Sequence, residues 1–264
     1  MRLASTLLSA ALLTGSMLLP ATSAMSATQV WDFDSASQSF NRNRNGNRLT
    51  LTSSDGVTLR VTGWSDTRDR NSGDTIQNGR LIWARNDALA LRNRDEGGSN
   101  ANHRIDSVTN DPSGEYDMLM LEFDEEVRLE GIDLDLAVGG ALGNSADISV
   151  LAWDQSGASA LNGRTWDGIL ASNGGGYNVV DNYNNVGVSY YGVNPGNVSS
   201  SRWLIGVYNP LFGAGGSAGN DSFLLSALQT SNTLATVPVP GSLALALMGL
   251  CGLRSSRRDK SIWR

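Results

Sequence analysis

The stretch "YDMLMLEFDEEVRLEGIDLDLAV", residues 116–138, decides the fold of this chain. Its first part is apolar at both odd and even positions from Met118 to Leu121, which is typical of a strand covered on both faces at the centre of a sheet. Alternation follows, with odd-numbered apolar residues first and even-numbered ones later: Val127 and Leu129, then Ile132, Leu134, Leu136 and Val138. The parity switches at Gly131, which predicts a β-bulge or a break between two strands.

Other stretches of the body also carry strand patterns. Period-two alternation, which indicates half-buried strands, occurs in "VTLRVT" (Val57, Leu59, Val61), "ADISVLAW" (Ile148, Val150, Ala152) and "SRWLIGVYN" (Trp203, Ile205, Val207). Glycine-rich turns such as "SNGGG" and "FGAGGSAGN" separate them. No helical period longer than about two turns interrupts the body. The sequence therefore predicts an all-β domain over residues 28–236, a β-sandwich with jelly-roll-like connectivity.

The N-terminus "MRLASTLLSAALLTGSMLLPATSA" has the composition of a secretory signal peptide. Arg2 precedes an apolar run from Leu7 to Leu19, and Pro20 and small residues end the run. This is the order of a charged region, an apolar helix and a cleavage site. We expect a signal peptide at residues 1–24, with a cut after Ala24 or after Ala27 at the latest.

The C-terminal stretch "VPVPGSLALALMGLCGLRSSRRDK" reads as a membrane segment. Its apolar part, Leu243–Leu253, would form a helix of about 17 Å, which is short against a hydrocarbon layer of about 30 Å. A C-terminal core helix is the alternative, but such a helix would carry a polar face, and this one has none. The arginines after it form a basic stop that keeps the far end in the cytoplasm. We therefore expect a short transmembrane helix within residues 237–258 and a cytoplasmic tail at 259–264.

Taken together, the two ends resemble those of PEP-CTERM proteins, which occur in Gram-negative bacteria that produce exopolysaccharide. Val239 stands where the family name has glutamate. The resemblance implies a partner, the membrane-embedded transpeptidase exosortase, and an exported protein that is anchored in the inner membrane during sorting and then reaches the cell surface or the medium. It also implies a sorting signal formed by Pro238, Pro240, Arg254, Arg257 and Arg258.

The body resembles one family of exosortase-dependent surface proteins. The blocks that carry the resemblance occur in the family's order and span roughly residues 31–227: "LRNRDEGGSNANHRIDS", "YDMLMLEFDEEVRL", "ADISVLAW", "SRWLIGVYNP" and "GND". The chain departs from the family by an insert around "NRNRNGNR". The resemblance implies a small extracellular β-rich domain without established catalytic activity, and it supplies no site residues.

Composition excludes several classes of function. The body has 14 basic and 25 acidic residues, a net charge of −11, so we expect it to bind neither nucleic acid nor anionic lipid. The single cysteine, Cys251, lies in the C-terminal apolar run, so the body has no disulfide. A zinc site needs several histidine or cysteine ligands, and the chain has one of each.

Catalytic patterns are weak. A Ser-His-Asp triad would have to use the only histidine, His103, with Asp106 nearby, but no serine lies in a GxSxG turn. We interpret His103 as a hydrogen-bonding loop residue. A carboxylate pair for glycoside hydrolysis stays open, although abundant acids alone do not indicate one. The sequence therefore favours a protein that is not an enzyme and has no obligatory cofactor.

Calcium is the one cofactor that the body suggests. The loop "RDEGGSNANHRID" supplies three carboxylates, and oxygen ligands in an extracellular loop suit Ca²⁺. The candidate ligands are Asp95, Glu96 and Asp106. The alternative, which we favour, is a turn whose acids pair with Arg94 and Arg104.

Carbohydrate binding is the second function that the sequence leaves open. An exposed aromatic ring on a β-sheet covers the apolar face of a sugar. The candidate aromatic residues are Trp83, Tyr190 and Tyr191. The body is then either a non-enzymatic surface or matrix component, or a lectin-like module that binds exopolysaccharide.

Overall fold

A computed structural model describes residues 28–33, 41–43, 46–69, 73–84, 88–94, 103–107, 115–140, 142–155, 157–217 and 220–232. These all belong to one unit, Ser26–Thr233. The predicted signal peptide, the sorting signal and the tail lie outside the described residues. Within the described ranges, no helix is long and apolar enough to span a membrane.

The described residues form an antiparallel sheet of 14 strands and contain no α-helix, which confirms the all-β prediction. The strands are β1 Thr28–Asp32, β2 Asn41–Asn43, β3 Gly46–Thr52, β4 Thr58–Asp69, β5 Gly73–Asn78, β6 Arg80–Trp83, β7 Leu89–Arg92, β8 Ile105–Asp106, β9 Asp117–Val138, β10 Ser145–Trp153, β11 Tyr177–Gly187, β12 Ser189–Gly192, β13 Ser199–Val207 and β14 Ser222–Asn232. Short 3₁₀ turns lie at Asp167–Ile169, Ala171–Asn173 and Pro210–Phe212. The main path through the sheet runs β11-β10-β13-β9-β14-β7-β6.

The first part of β9 lies at the centre of the sheet, as its apolar run predicts. Residues 117–123 pair with β4 on one side, and residues 118–122 pair with β13 on the other. Residues 117–121 are buried without a break. Neighbours on both edges and cover on both faces explain why this segment has no polar face.

The middle of β9 is exposed and acidic. None of the ladders among the described strands includes residues 124–126, and all three residues are exposed. Each carboxylate accepts a hydrogen bond from a different segment: Asp124 from the Thr58 N–H at 2.9 Å, Glu125 from Asn232 Nδ2 at 2.6 Å, and Glu126 from Gln155 Nε2. The acids thereby connect β9 to β4, to β14 and to the residues that follow β10.

The second part of β9 gains two new neighbours. Its residues 127–138 pair with β14 and residues 131–134 with β12, while Val127 and Arg128 still pair with β13. In the β14 ladder Gly131 lies opposite Gln229, but the next pair is Leu129 with Thr230, so Glu130 is an extra residue. This bulge confirms the irregularity predicted from the parity switch. The extra residue keeps Leu129 and Ile132 both buried although their positions differ in parity.

Gly131 also makes room for an aromatic ring. A Cβ at Gly131 would lie 2.3 Å from Cε2 of Tyr190, so the tyrosine ring rests directly on the glycine backbone. The Tyr190 hydroxyl donates to the carbonyl of Glu130 at 3.3 Å. The ring therefore covers the bulge, as aromatic side chains do beside glycines in sheets.

One large hydrophobic cluster draws on both parts of β9 and on most other strands. A small second cluster lies apart from it, formed by Ile82, Ala88, Ala90 and Leu224. Strand β10 is buried at eight of its nine residues, and β13 is buried from Trp203 to Val207. The prediction that these two strands are half-buried was therefore wrong. On β10, the segment of residues 208–217 bonds to Asp147 and Ser149 and so covers part of the second face.

We expect Gly131→Ala to destabilise the body by about 1–2 kcal/mol, because the new methyl group must displace the Tyr190 ring. The matched control is Gly192→Ala. Gly192 lies opposite Gly131 in the ladder, and its added Cβ would meet only the Glu130 carbonyl, at 3.9 Å. Urea unfolding of both variants measures the difference.

A double-mutant cycle with Tyr190→Ala tests the cause. The cost of Gly131→Ala should shrink once the ring is gone. An unchanged cost in the Tyr190→Ala background would contradict the contact as its origin.

Candidate functional site

The three aromatic residues proposed for sugar binding do not form one platform. Trp83 and Tyr191 are partly buried and pack against the main hydrophobic cluster. Tyr191 also meets Tyr183 edge to face, with ring centroids 5.8 Å apart. Only Tyr190 is well exposed, at 53%. Since its ring already covers Gly131, its position also has a structural explanation.

The predicted calcium loop is described only in part. Asp95 and Glu96 lie outside the described residues. Asp106 is half-buried in β8, and its N–H donates to Asp117 Oδ2 at 3.4 Å. Within the ranges that the structure covers, no three His, Cys, Asp or Glu side chains are grouped so that they could hold a metal ion.

Two arginines of the same loop bind to described residues outside it, and their predicted pairing with Asp95 and Glu96 involves residues outside the described ranges. Arg94 donates to Gln77 Oε1 at 2.7 Å and to the carbonyl of Asn78 at 3.3 Å. Arg104 donates to Ser222 Oγ at 3.1 Å. These bonds attach both ends of the loop to neighbouring strands. His103 is buried just before β8.

A groove beside Trp153 is a binding-site candidate that sequence reasoning missed. It has a volume of about 440 Å³ and opens between the end of β10, the start of β11 and the start of β13. Its polar lining comes from Glu126, Asp154, Gln155, Asn178 and Ser199, and its apolar lining from Ala152, Trp153, Val179, Val180 and Val198. An aromatic ring with several hydrogen-bonding groups in a concave site is the usual composition of a small-ligand site.

The groove is held in place by its own side chains. The Arg202 guanidinium lies over the Trp153 ring at 4.7 Å, and the Trp153 Nε1–H donates to the carbonyl of Gly157 at 3.1 Å. Asn178 donates to the Asp154 carboxylate at 2.9 Å. Arg202 is itself paired with Glu122 at 3.2 Å. The tryptophan and the polar wall are therefore oriented before any ligand arrives.

A second candidate site is a buried pair of acids, the Asp147–Asp221 cluster, which consists of Ser107, Asp147, Asn185, Ser217 and Asp221. Asp147 Oδ1 accepts the N–H of Asn185 at 2.7 Å, and its Oδ2 accepts the N–H of Ser217 at 2.8 Å. Asp221 Oδ1 accepts the N–H of Asp147 at 2.8 Å. The backbone of Asp221 is bonded to Ser107 through both its N–H and its carbonyl. The two acids thus connect β8, β10, β11 and the segment before β14.

The close approach of the chain at this cluster depends on a glycine. Gly139 has a φ of +118°, and a Cβ there would lie 2.2 Å from the carbonyl oxygen of Asn220. The Asn220 side chain donates to the Gly139 carbonyl at 3.1 Å. Any larger residue at position 139 would push the segment that carries Asp221 away from Asp147.

The two acids of the cluster are buried without a positively charged side chain beside them among the described residues. Asp221 is 1% exposed and Asp147 is 4% exposed. Asp221 Oδ2 is buried and accepts no hydrogen bond, and neither acid forms an ion pair with an arginine within the described part of the chain. Burial, and secondly the negative charge of Asp147, raise the pKa of Asp221 to about 6.

No known protein is similar enough to this chain to help interpret these sites. No protein-family description, no curated protein and no solved structure matches the chain. The sites therefore have to be interpreted from their own geometry.

We expect the stability of the protein, in the presence of a chelator, to fall as the pH rises from about 4 to about 6. The folded state holds the proton of Asp221 more tightly than the unfolded state, whose pKa is 3.8, so this contribution is present at low pH and lost through the folded pKa of about 6. A shift of this size corresponds to roughly 3 kcal/mol.

Asp221→Asn should remove this part of the pH dependence and raise the Tm at pH 7.5 by several degrees, because no buried charge remains. The control is the exposed Asp55→Asn. Asp133, whose pKa is also raised by burial, contributes equally to all three proteins. Thermal unfolding at pH 5 and pH 7.5 checks the prediction, and parallel pH profiles for wild type and Asp221→Asn would contradict it.

Proposed function

We propose that this chain is an exported, non-enzymatic surface or matrix protein that exosortase sorts through its C-terminal signal. The observation that carries the proposal is where the sheet begins and ends. Strand β1 starts at Thr28, just after the expected signal-peptide cuts, and β14 ends at Asn232, before Pro238. Removal of both end segments therefore takes no strand from the sheet.

The two terminal strands also support each other. β1 and β14 pair along their length, and Thr28 lies opposite Ser231. Trp31 on β1 is buried, and its indole N–H donates to Thr230 on β14 at 2.9 Å. A body whose ends leave from paired strands can stay folded while one end is anchored and after both ends are cut.

The proposal includes the finer architecture. The first part of β9 pairs with β4 and the second with β14 and β12, with β13 beside both, around one hydrophobic cluster. This change of neighbours favours a sheet folded over itself as a β-sandwich. Neighbours such as β9 with β14 and β10 with β13 are distant in the chain, as they are in jelly-roll-like connectivity. Helices for the signal peptide and for the short membrane segment complete the proposed layout.

We expect replacement of Arg254, Arg257 and Arg258 by glutamate to abolish normal processing in a bacterium with exosortase. The short apolar run has little membrane affinity of its own, and its orientation depends on cations that resist transfer and meet the anionic inner leaflet. The triple arginine-to-lysine variant keeps the charge and is the control. Mass spectrometry of the C-terminal peptide shows whether the tail is trimmed.

The lysine control also separates charge from the specific recognition of arginine. We expect the tail to be trimmed in the wild type and in the lysine variant, and to stay untrimmed in the glutamate variant. A normally trimmed glutamate variant would contradict a sorting role for the arginines. Untrimmed wild type in the exosortase host would contradict the proposed function as a whole.

Binding of a saccharide is the second candidate function, and the Trp153 groove is the observation that favours it. The groove combines a fixed tryptophan edge with carboxylate, carboxamide and hydroxyl groups, the partners that sugar hydroxyls need. Its acids, Glu126 and Asp154, favour a neutral polysaccharide over an anionic one. The body would then attach surface-sorted protein to the exopolysaccharide.

We expect Asn178→Ala to weaken binding of the producing bacterium's neutral exopolysaccharide about three- to ten-fold, the effect of one lost hydrogen bond. Asn184→Ala is the control, because Asn184 is exposed on the same strand but does not line the groove. Titration calorimetry with the full chain in detergent measures the affinities. If Asn178→Ala and Asn184→Ala weaken binding equally, or if only Tyr190→Ala abolishes it, the saccharide does not bind in the Trp153 groove.

A further inference from the structure

The Asp147–Asp221 cluster has a feature that protein groups alone do not explain. Asp221 Oδ2 is buried and has no hydrogen-bond donor among the described residues. Every oxygen of the neighbouring Asp147 carboxylate already accepts a backbone N–H, and Asp221 Oδ1 does so as well. The remaining oxygen is the one point of the cluster that is left to bind something else. A buried carboxylate oxygen without a partner destabilises the folded state.

A proton or a cation could fill this position. Asp221 Oδ1 accepts the N–H of Asp147, so the two buried carboxyl groups lie close together. A cation bound between them would give the buried Oδ2 of Asp221 its missing partner.

We propose that Asp221 Oδ2, with Asp147 beside it, forms the anionic half of a buried calcium site at this end of the sheet. The site is separate from the loop that holds Asp95 and Glu96, and from the Trp153 groove. It does not depend on the proposed sorting or on saccharide binding.

The surrounding chemistry favours a hard cation. The residues bonded to the two acids offer neutral oxygens, namely the hydroxyl of Ser107 and the side-chain amide oxygen of Asn185, which in turn accepts from the Ser145 hydroxyl at 3.4 Å. Calcium takes hydroxyl, amide, carbonyl and water oxygens in addition to carboxylates, so two acids supply enough charge. Calcium tolerates irregular geometry, whereas Mg²⁺ demands a regular octahedron.

A cation at this point would hold together segments that are distant in the chain. The two acids connect segments far apart in sequence: Ser107 after β8, Asn185 on β11, and the chain before β14. The chain has no disulfide in its body to do the same. A calcium ion would therefore stabilise the body most in the compartment to which the ends are predicted to send it, where millimolar calcium suffices for weak sites.

The test uses the full chain, purified in a mild detergent and stripped of metal with a chelator. At pH 7.5, addition of 5 mM CaCl₂ should raise the Tm of wild type and of Asp55→Asn by about 3 °C or more. Asp221→Asn, which keeps the shape and loses the charge, should lose this shift. Magnesium at the same concentration should give a clearly smaller one.

One further variant keeps the result decisive. The double variant Asp95→Asn, Glu96→Gln should keep the full shift. The proposal is overturned if stripped wild type shows no calcium shift, if Asp221→Asn keeps the shift, or if the loop double variant loses it.

Discussion

The structure depends on one strand that belongs to two sets of neighbours. Strand β9 runs for 22 residues; its first part pairs with β4 and its last part with β14 and β12, while β13 pairs with residues of both parts. The change of partners leaves backbone groups at residues 124–126 outside the described ladders. Three consecutive acids occupy that point because their side chains can stay in water and still accept hydrogen bonds from the strands on either side. The bulge at Glu130 lies further along, where the buried positions change from odd to even numbers.

The middle and the C-terminal end of β9 also position both candidate sites. Glu126, at the change of partners, forms one wall of the Trp153 groove and accepts a bond from Gln155. At the C-terminal end, the turn after β9 passes through Gly139, whose positive φ lets the Asn220–Asp221 segment lie close to β10. The groove and the acid cluster are thus consequences of how the long strand starts and stops its pairing.

The charges of the molecule differ sharply between its surface and its interior. On the surface, Glu122 is flanked by Arg60 at 3.8 Å and Arg202 at 3.2 Å, and partial exposure makes such pairs worth little. In the interior, Asp147 and Asp221 have backbone N–H groups as their partners, and one oxygen has none. A buried pair of carboxyl groups is unfavourable unless a proton or a cation is bound to it. The cluster is therefore the interior feature that points most directly to a bound ion.

The sequence by itself determined the features that depend on residues close together in the chain. The apolar run from Met118 to Leu121 predicted a central strand, and the parity switch predicted the irregularity at Gly131, because burial and pleat act on neighbouring residues. The patterns of β10 and β13 predicted half-buried strands, and this was wrong because other segments also contribute to burial, as residues 208–217 do at β10. Only the tertiary structure brought Asp147 to Asp221, and Glu126 to Trp153 and Asn178. Such contacts arise from the pairing of strands that are far apart in sequence, and no local pattern records which strands will meet.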